Sequence, residues 1–418
     1  MKLPKMPAME SNPEGAAIPR RTVWNGVLTA TPVMLTVLAT VLAGLSNSEM
    51  TLAQYHRALA AQFQSKAGDQ WNFFQAKRIR GTGLEMTIGL LNTASAPGEM
   101  KPALLQISAD RMVQELRRAQ KETNRLQAAL DSKTVALGPA GPEFRQAAAA
   151  VLQASQDSLQ KAEMSRDRIK RELALPDVQR AFTYLGTAEV PPANTKVVQD
   201  PNITQALQAV RSRIPDQEIA PLVRQVPEEV LRQALETAEA NVQAVEQADK
   251  PVSDTLNRVE ALVREQAESA RALVRAARNL DGLAADLPAG DSAGLTEIRS
   301  AAAALARCSA NIKTLSDERR NDFKAAQYGY TARRYEREAR YNQDAADLYE
   351  IQVRKSSTAS ERNRGRSKQF FFGMLAAQAG VTIASFSLAV KFKSLLWSLA
   401  SLAGLSAILF ALYVYLYV

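Results

Sequence analysis

Long uncharged apolar runs lie near the two ends of the chain, and between them apolar and polar positions alternate with helical spacing. Residues 23–45, 369–390 and 394–418 contain no Asp, Glu, Lys, Arg or His. Each run is long enough to cross a hydrocarbon core of ~30 Å at ~1.5 Å per helical residue. The last two are parted only by Lys391, Phe392 and Lys393, which predicts a helical hairpin. Trp24, Trp397, Tyr413, Tyr415 and Tyr417 fall toward span ends, where amphipathic rings favour the interface. The first run follows Arg20 and Arg21 and has small residues near Ala43, as a signal peptide would. Its apolar length exceeds a signal core, so it reads as an uncleaved anchor. Pro32 is placed to kink it. Small residues recur every four positions at Ala376, Gly380 and Ala384, at Ala400 and Gly404, and at Ala403, Ala407 and Ala411, which suggests close packing between spans.

Proline is absent from Val33 to Ala96 and from Ala289 onward, so helices can run far in both windows. Breakers gather at Pro97–Gly98, at Gly138-Pro139-Ala140-Gly141-Pro142, at Pro191–Pro192 and at Pro288-Ala289-Gly290. Between them lie stretches rich in strong helix formers, which predict helices near 47–95, 100–132, 143–174, 227–249, 251–286 and 294–368. The proline-dotted stretch 176–226 predicts short helices and loops. From 227 to 286 a seven-residue rhythm appears. Leu231, Ala238, Val245, Val252, Val259 and Leu273 share one position, broken by Gln266. Leu235, Val242, Leu256, Val263, Ala270 and Ala277 share the second, broken by Asp249. Seams at this spacing bury against other helices. Pro251 is expected to open a second helix. Ile298, Leu305 and Ile312 continue the habit, with Cys308 and Leu315 on the companion position, so Cys308 reads as a core residue rather than a reactive thiol.

Helices that leave neighbouring spans should run side by side. Counting up from 46 on one and down from 368 on the other, residues at equal height have numbers that add to about 414. That puts Trp71 near Gln343, Phe63 near Ile351, and Lys77 with Arg78 near Glu336 and Glu338. Tyr328, Tyr335 and Tyr349 lie at multiples of seven. An antiparallel stalk is expected, packed by Phe63, Trp71, Phe73, Phe74, Tyr328, Tyr335, Tyr341 and Tyr349. A tyrosine stripe of this kind denotes packing more often than a ligand cage.

Composition and charge narrow the chemistry. The 418 residues include one Cys and one His, with Gly, Pro and aromatics scarce. A disulfide framework, a thiolate cluster and a two-histidine metal site within one chain are excluded, and an all-β fold is disfavoured. The net charge of +9 is that of the span-flanking segments: six basic residues and Glu361 between Arg354 and Lys368, Lys391 with Lys393, and Arg20 with Arg21. Arg20, Arg21, Arg362, Arg364, Arg366, Lys368, Lys391 and Lys393 are therefore expected at anionic lipid headgroups rather than at a nucleic acid. Orientation is contested. Arg20, Arg21 and the hairpin turn favour a cytoplasmic N-terminus and a body outside, a slight preference; the Arg354–Lys368 cluster favours the opposite.

No phosphate loop occurs, and Gly81-Thr82-Gly83 fails the dinucleotide fingerprint at its third glycine. Any Ser-His-Asp site would need His56, which stands on a predicted helix close to lipid and reads as a surface histidine. No catalytic residue, cofactor or metal is expected, and the chain is read as not an enzyme.

One stretch has a likeness. Asp69-Gln70-Trp71-Asn72-Phe73-Phe74-Gln75-Ala76-Lys77 resembles the D-Q-W-x-(aromatic)-(aromatic)-Q-A-K segment of bacterial membrane proteins grouped as domain of unknown function 4337. Those proteins carry a span before this segment and spans near the C-terminus. The tail around Tyr335–Tyr341 and 370–390 is similar in kind, so the likeness touches the first and last hundred residues, while the middle is longer than the family implies. It implies architecture and no activity.

The expected fold is an all-α membrane protein, with one N-terminal and two C-terminal transmembrane helices flanking a long helical-bundle or coiled-coil domain. Its parts are a basic segment 1–22, a span 23–45, a stalk helix 46–96, a central domain 97–290, a return helix 291–368, and spans 369–390 and 394–418. A self-associating scaffold in the bacterial inner membrane is the first functional reading. A sensor or adaptor with a ligand pocket between 100 and 290 is the second. An oligomeric pore lined by Thr29, Thr36 and Thr40, or by Gln378, Thr382 and Ser385, is the third.

Overall fold

In the computed structural model, residues 21–417 are described apart from 96–97, 99, 133–136, 188, 198–199, 289–292 and 391–392. They form α1 (Arg21–Ser95), α2 (Pro102–Asp131), α3 (Gly141–Leu173), α4 (Pro176–Thr187), α5 (Pro201–Arg211), α6 (Asp216–Gln225), α7 (Glu228–Ser269), α8 (Arg271–Ala285), α9 (Ala293–Ala389) and α10 (Lys393–Tyr417). Among the described residues there is no strand. The protein is all-α, and three helices carry stretches long and apolar enough to cross a membrane.

Helix boundaries differ from the expected ones where packing overrides a local breaker. Pro32, Pro221 and Pro251 all lie inside helices. Pro251 removes the hydrogen bond that its own N–H would have made. The buried seam of α7 continues on both sides of it through Asn241, Val245, Asp249, Val252 and Leu256, and α7 runs on. The expected start of a helix at Pro251 is thus corrected, and the break falls at Ala270, between α7 and α8. α1 and α9 each run unbroken from soluble-type sequence into an apolar stretch. The 176–226 stretch holds three helices, α4 to α6. Asn241 fastens part of it: its Oδ1 accepts from the Lys196 N–H at 2.8 Å and its Nδ2 donates to the Lys196 carbonyl at 2.8 Å. Gly138, at φ 65°, takes the left-handed turn before α3 that a Cβ would resist.

The chain divides into two compact units. One gathers residues 1–65, 208–225 and 350–418. Its apolar ends pack Leu35, Ala384 and Ala400 in one cluster, and Leu42, Phe370, Ala377, Ala407 and Val414 in another. Close approach needs small residues. A Cβ added to Gly373 or Gly380 would stand 3.2 Å from the carbonyl oxygen of Ala407 or Ala400 respectively. The tight stripe on α9 is Gly373, Ala377, Gly380 and Ala384, and Ala376 sits only half-buried at its edge. Trp397 Nε1 donates to Thr31 Oγ1 at 3.1 Å. Below the apolar stretch, Ser46 and Ser367 clasp each other: each hydroxyl reaches the other's carbonyl, at 3.0 and 2.9 Å, and the two oxygens are 3.2 Å apart. Ser360 then donates to the Ala53 carbonyl at 2.8 Å. Arg366 reaches Glu49 at 4.0 Å.

The other unit gathers 66–207 and 226–349. One core joins α2, α3 and α8 to the first turns of α9, through residues such as Leu116, Phe144, Val151, Leu280, Ile298 and Leu305. Cys308 packs half-buried against it, and burial pushes its thiol up, helped by the charges of Glu115 and Glu122. A second core joins the start of α2 and the end of α3 to α4, α7 and α9 through Leu105, Ile169, Phe182, Leu256, Phe323 and Tyr330.

Candidate functional site: the charged centre of the helical body

The residue that breaks the apolar seam of α7 is the buried centre of a polar network. Asp249 is 1 % exposed. Arg337 of α9 donates to its Oδ1 and also to the Pro191 carbonyl. The Tyr330 hydroxyl stands 3.5 Å from the same carboxylate oxygen. Desolvation raises the Asp249 carboxyl above its usual range, against the opposing bond and charge of Arg337. Burial also raises the Tyr330 phenol, with the Asp249 charge adding to it. One turn away on the same helix, Arg334 donates to Ser253 Oγ at 2.5 Å and lies 3.3 Å from Glu338.

Glu338 links this network to the quoted segment of α1. Lys77 Nζ lies 3.0 Å from Glu338 and 2.8 Å from Glu246 of α7, so one ammonium ties three helices. Burial works against its charge, but hydrogen bonds to Glu246 and Glu338 outweigh that and raise its pKa. Beside it an open groove of about 360 Å³ is bordered by Phe74, Gly81, Ala332, Glu336, Arg340 and Gln343. Gly81 faces α9 across the floor: a Cβ added there would make ordinary contact, 3.6 Å from the Ala332 carbonyl oxygen.

The aromatic residues expected to pack the stalk divide by face. Trp71 and Phe74 meet edge to face at 5.4 Å, and Arg78 stacks 5.9 Å over Phe74. Tyr328 and Tyr335 border a neighbouring groove together with Arg80 and Leu84 of α1. Tyr349 is buried, donates to Glu239 of α7, and lies under Lys66 at 5.4 Å. Tyr341 turns to the α4–α5 connection, 3.2 Å from Thr195 Oγ1. Phe63 is half-buried within the other unit. Phe73 is a correction: it is 55 % exposed, one position off the inward line of buried Ala67, half-buried Phe74 and buried Gly81. Of the residues expected at headgroups, Arg362, Arg364 and Lys368 are exposed and Arg366 half-buried. Arg20 and Lys391 lie outside the described residues, and the Arg21 and Lys393 side chains likewise.

A second seven-residue rhythm is made of small residues. Ala53, Ala60, Ala67, Phe74 and Gly81 recur every seven positions on α1, as do Ala332, Ala339, Ala346, Val353, Ser360 and Ser367 on α9. Most are buried, and the direct contacts of Ser360 with Ala53 and of Gly81 with Ala332 lie on these lines. Over 66–95, the far face of α1 is bare. Ile79, Met86 and Leu90 are 72, 69 and 71 % exposed, and Asn72, Ala76, Gly83 and Thr93 complete an uncharged stripe.

An all-α architecture with three apolar helices defines the class of protein. Comparison with known families adds one match: residues 24–170 fit the family model described as a domain of unknown function (DUF4337). The match takes in the first apolar helix, the Asp69–Lys77 segment, α2 and most of α3. It extends past the first hundred residues into the middle of the chain. No curated protein matches the chain.

Proposed function

We propose that the protein is a non-enzymatic, membrane-anchored helical scaffold that self-associates through α1. The observation that carries this is the uncharged stripe of Ala76, Ile79, Gly83, Met86 and Leu90, exposed along α1. Its spacing of three and four is that of a coiled-coil seam. Spans hold every copy in one membrane with one orientation, so the stripes of two copies meet in parallel at equal height, as a two-fold interface requires. A bacterial inner membrane is the setting, with Arg362, Arg364 and Lys368 at anionic headgroups. The test is the mass of the full chain in mild detergent, measured by light scattering. The wild type is expected as a defined oligomer and Ile79→Glu/Met86→Glu as a monomer. A wild type that is monomeric at every concentration sinks the scaffold.

A second reading, a sensor or adaptor, draws on the Lys77 network. Sliding α1 along α9 by ~1–2 Å, the size of a switching shift, would part Lys77 from Glu338. A pore has less support, since Thr36 and Thr40 donate to Pro32 and Thr36 carbonyls, and Thr382 and Ser385 to Gln378 and Val381 carbonyls of their own helices.

A further inference from the structure

Several arginines of the helical body are held by a carboxylate. Arg117 pairs with Glu163, Arg168 with Glu265, Arg232 with Glu229 and Glu236, and Arg258 with Asp177. One groove gathers five cations on two facing helices. It lies among the end of α7, α8 and α9, and has a volume of about 400 Å³. Arg271, Arg275 and Arg278 of α8 border it, four and three residues apart and so on one helix face. Lys313 and Arg320 of α9 border it too, seven apart, and Asp317 is the one carboxylate among the lining residues. Arg271 has only a loose contact with Glu268, at 3.6 Å. Among the described residues, Arg275, Arg278, Lys313 and Arg320 have no ion-pair partner, and Arg320 Nε is buried without a hydrogen bond. The floor is apolar, made by Ala270, Val274 and Ile312.

Five cations gathered around one carboxylate give the groove a positive field, and a small anion that carries more than one charge complements it. Guanidinium groups bind phosphoryl oxygens in pairs, and a groove of this size admits a small phosphorylated molecule. We propose that the α8–α9 groove is a binding site for a ligand with adjacent phosphoryl groups. The two sources of such chemistry are a soluble phosphorylated molecule and a lipid headgroup. The site goes beyond the scaffold reading and does not depend on it.

The experiment uses the full chain in phosphatidylcholine nanodiscs. In the first arm inorganic tripolyphosphate is titrated by calorimetry. In the second, capture of vesicles made of phosphatidylcholine and cardiolipin in equal parts is measured. The proposal expects at least one probe to bind, and to bind at least about tenfold more weakly to Arg275→Gln/Arg278→Gln and to Lys313→Gln/Arg320→Gln, each lost charged hydrogen bond being worth roughly that factor or more. Lys121→Gln/Arg145→Gln, which removes two exposed cations from α2 and α3, should leave binding unchanged. The two groove variants change different helices, so misfolding of one leaves the other as the test. Tripolyphosphate binding that depends on the groove assigns a soluble ligand. Groove-dependent vesicle capture without tripolyphosphate binding assigns a lipid. Equal binding by wild type and groove variants, or no binding of either probe, overturns the proposal.

Discussion

At the scale of single residues, Asp249 has the largest consequence. In the sequence it is a defect in an apolar seam, and in the structure it is a buried carboxylate held by Arg337 and facing Tyr330. A buried ion pair costs more to halve than to replace, because the survivor is left charged and without a partner. Asp249→Ala and Arg337→Met should each destabilise by about 3–5 kcal/mol, whereas Asp249→Leu/Arg337→Met should cost well under the sum. Thermal unfolding of the full chain in detergent, run as a double-mutant cycle, reads this out, and additive losses would show that the pair is uncoupled. Alkali offers a second check. Lys77, Tyr330 and Tyr349 all hold their protons more tightly folded than unfolded. Their contribution is therefore full below the ordinary values of 10.0 for tyrosine and 10.5 for lysine, and is lost as pH rises through the higher folded values. Stability should decline above about pH 10, and Tyr349→Phe should make the decline shallower. A chemical-denaturation series across that range measures the slope, and an unchanged slope in the variant would remove Tyr349 from the account.

Among the helices, the sequence spoke most clearly where the pattern was made of large residues. The uncharged runs, the seven-residue rhythm of α7 and the breakers at 138–142 lead directly to the elements found. Pro251 misled because its local cost, about 3 kcal/mol in a helix interior, is offset by the burial of Val245, Val252 and Leu256 on either side. Ala270 ends α7 with no breaker residue at all. Height matching places Lys77 by Glu338, as found, whereas the line of Ala, Gly and Ser residues along α1 and α9 carries no bulky apolar signal. The groove arginines were hidden differently: three basic residues on a helix face look like a solvated surface until the facing helix is known to bring Lys313 and Arg320. Gly81 tests the close approach of α1 and α9. An added methyl would make only ordinary contacts, at 3.6 Å from the Ala332 carbonyl and 3.8 Å from Tyr335 Cβ. Gly81→Ala should thus be neutral or stabilising by up to about 1 kcal/mol through helix propensity, while Gly81→Leu should overpack and cost about 1–3 kcal/mol. Equal stability of the two variants would mean that the helices are not in contact there.

For the whole molecule, the central claim is that apolar helices from both ends of the chain join, and that the helices leading from them continue as a pair. Ser46 and Ser367 mark that junction, 321 positions apart in sequence with side-chain oxygens 3.2 Å from each other. The most direct test replaces both with cysteine, as Ser46→Cys/Ser367→Cys, in a chain whose one native thiol is removed by Cys308→Ser. Mild oxidation in native membranes should close an intramolecular disulfide in nearly every molecule, seen as a mobility shift reversed by reductant. Two thiols that stay free and both accept maleimide after denaturation would contradict the pairing of the two ends.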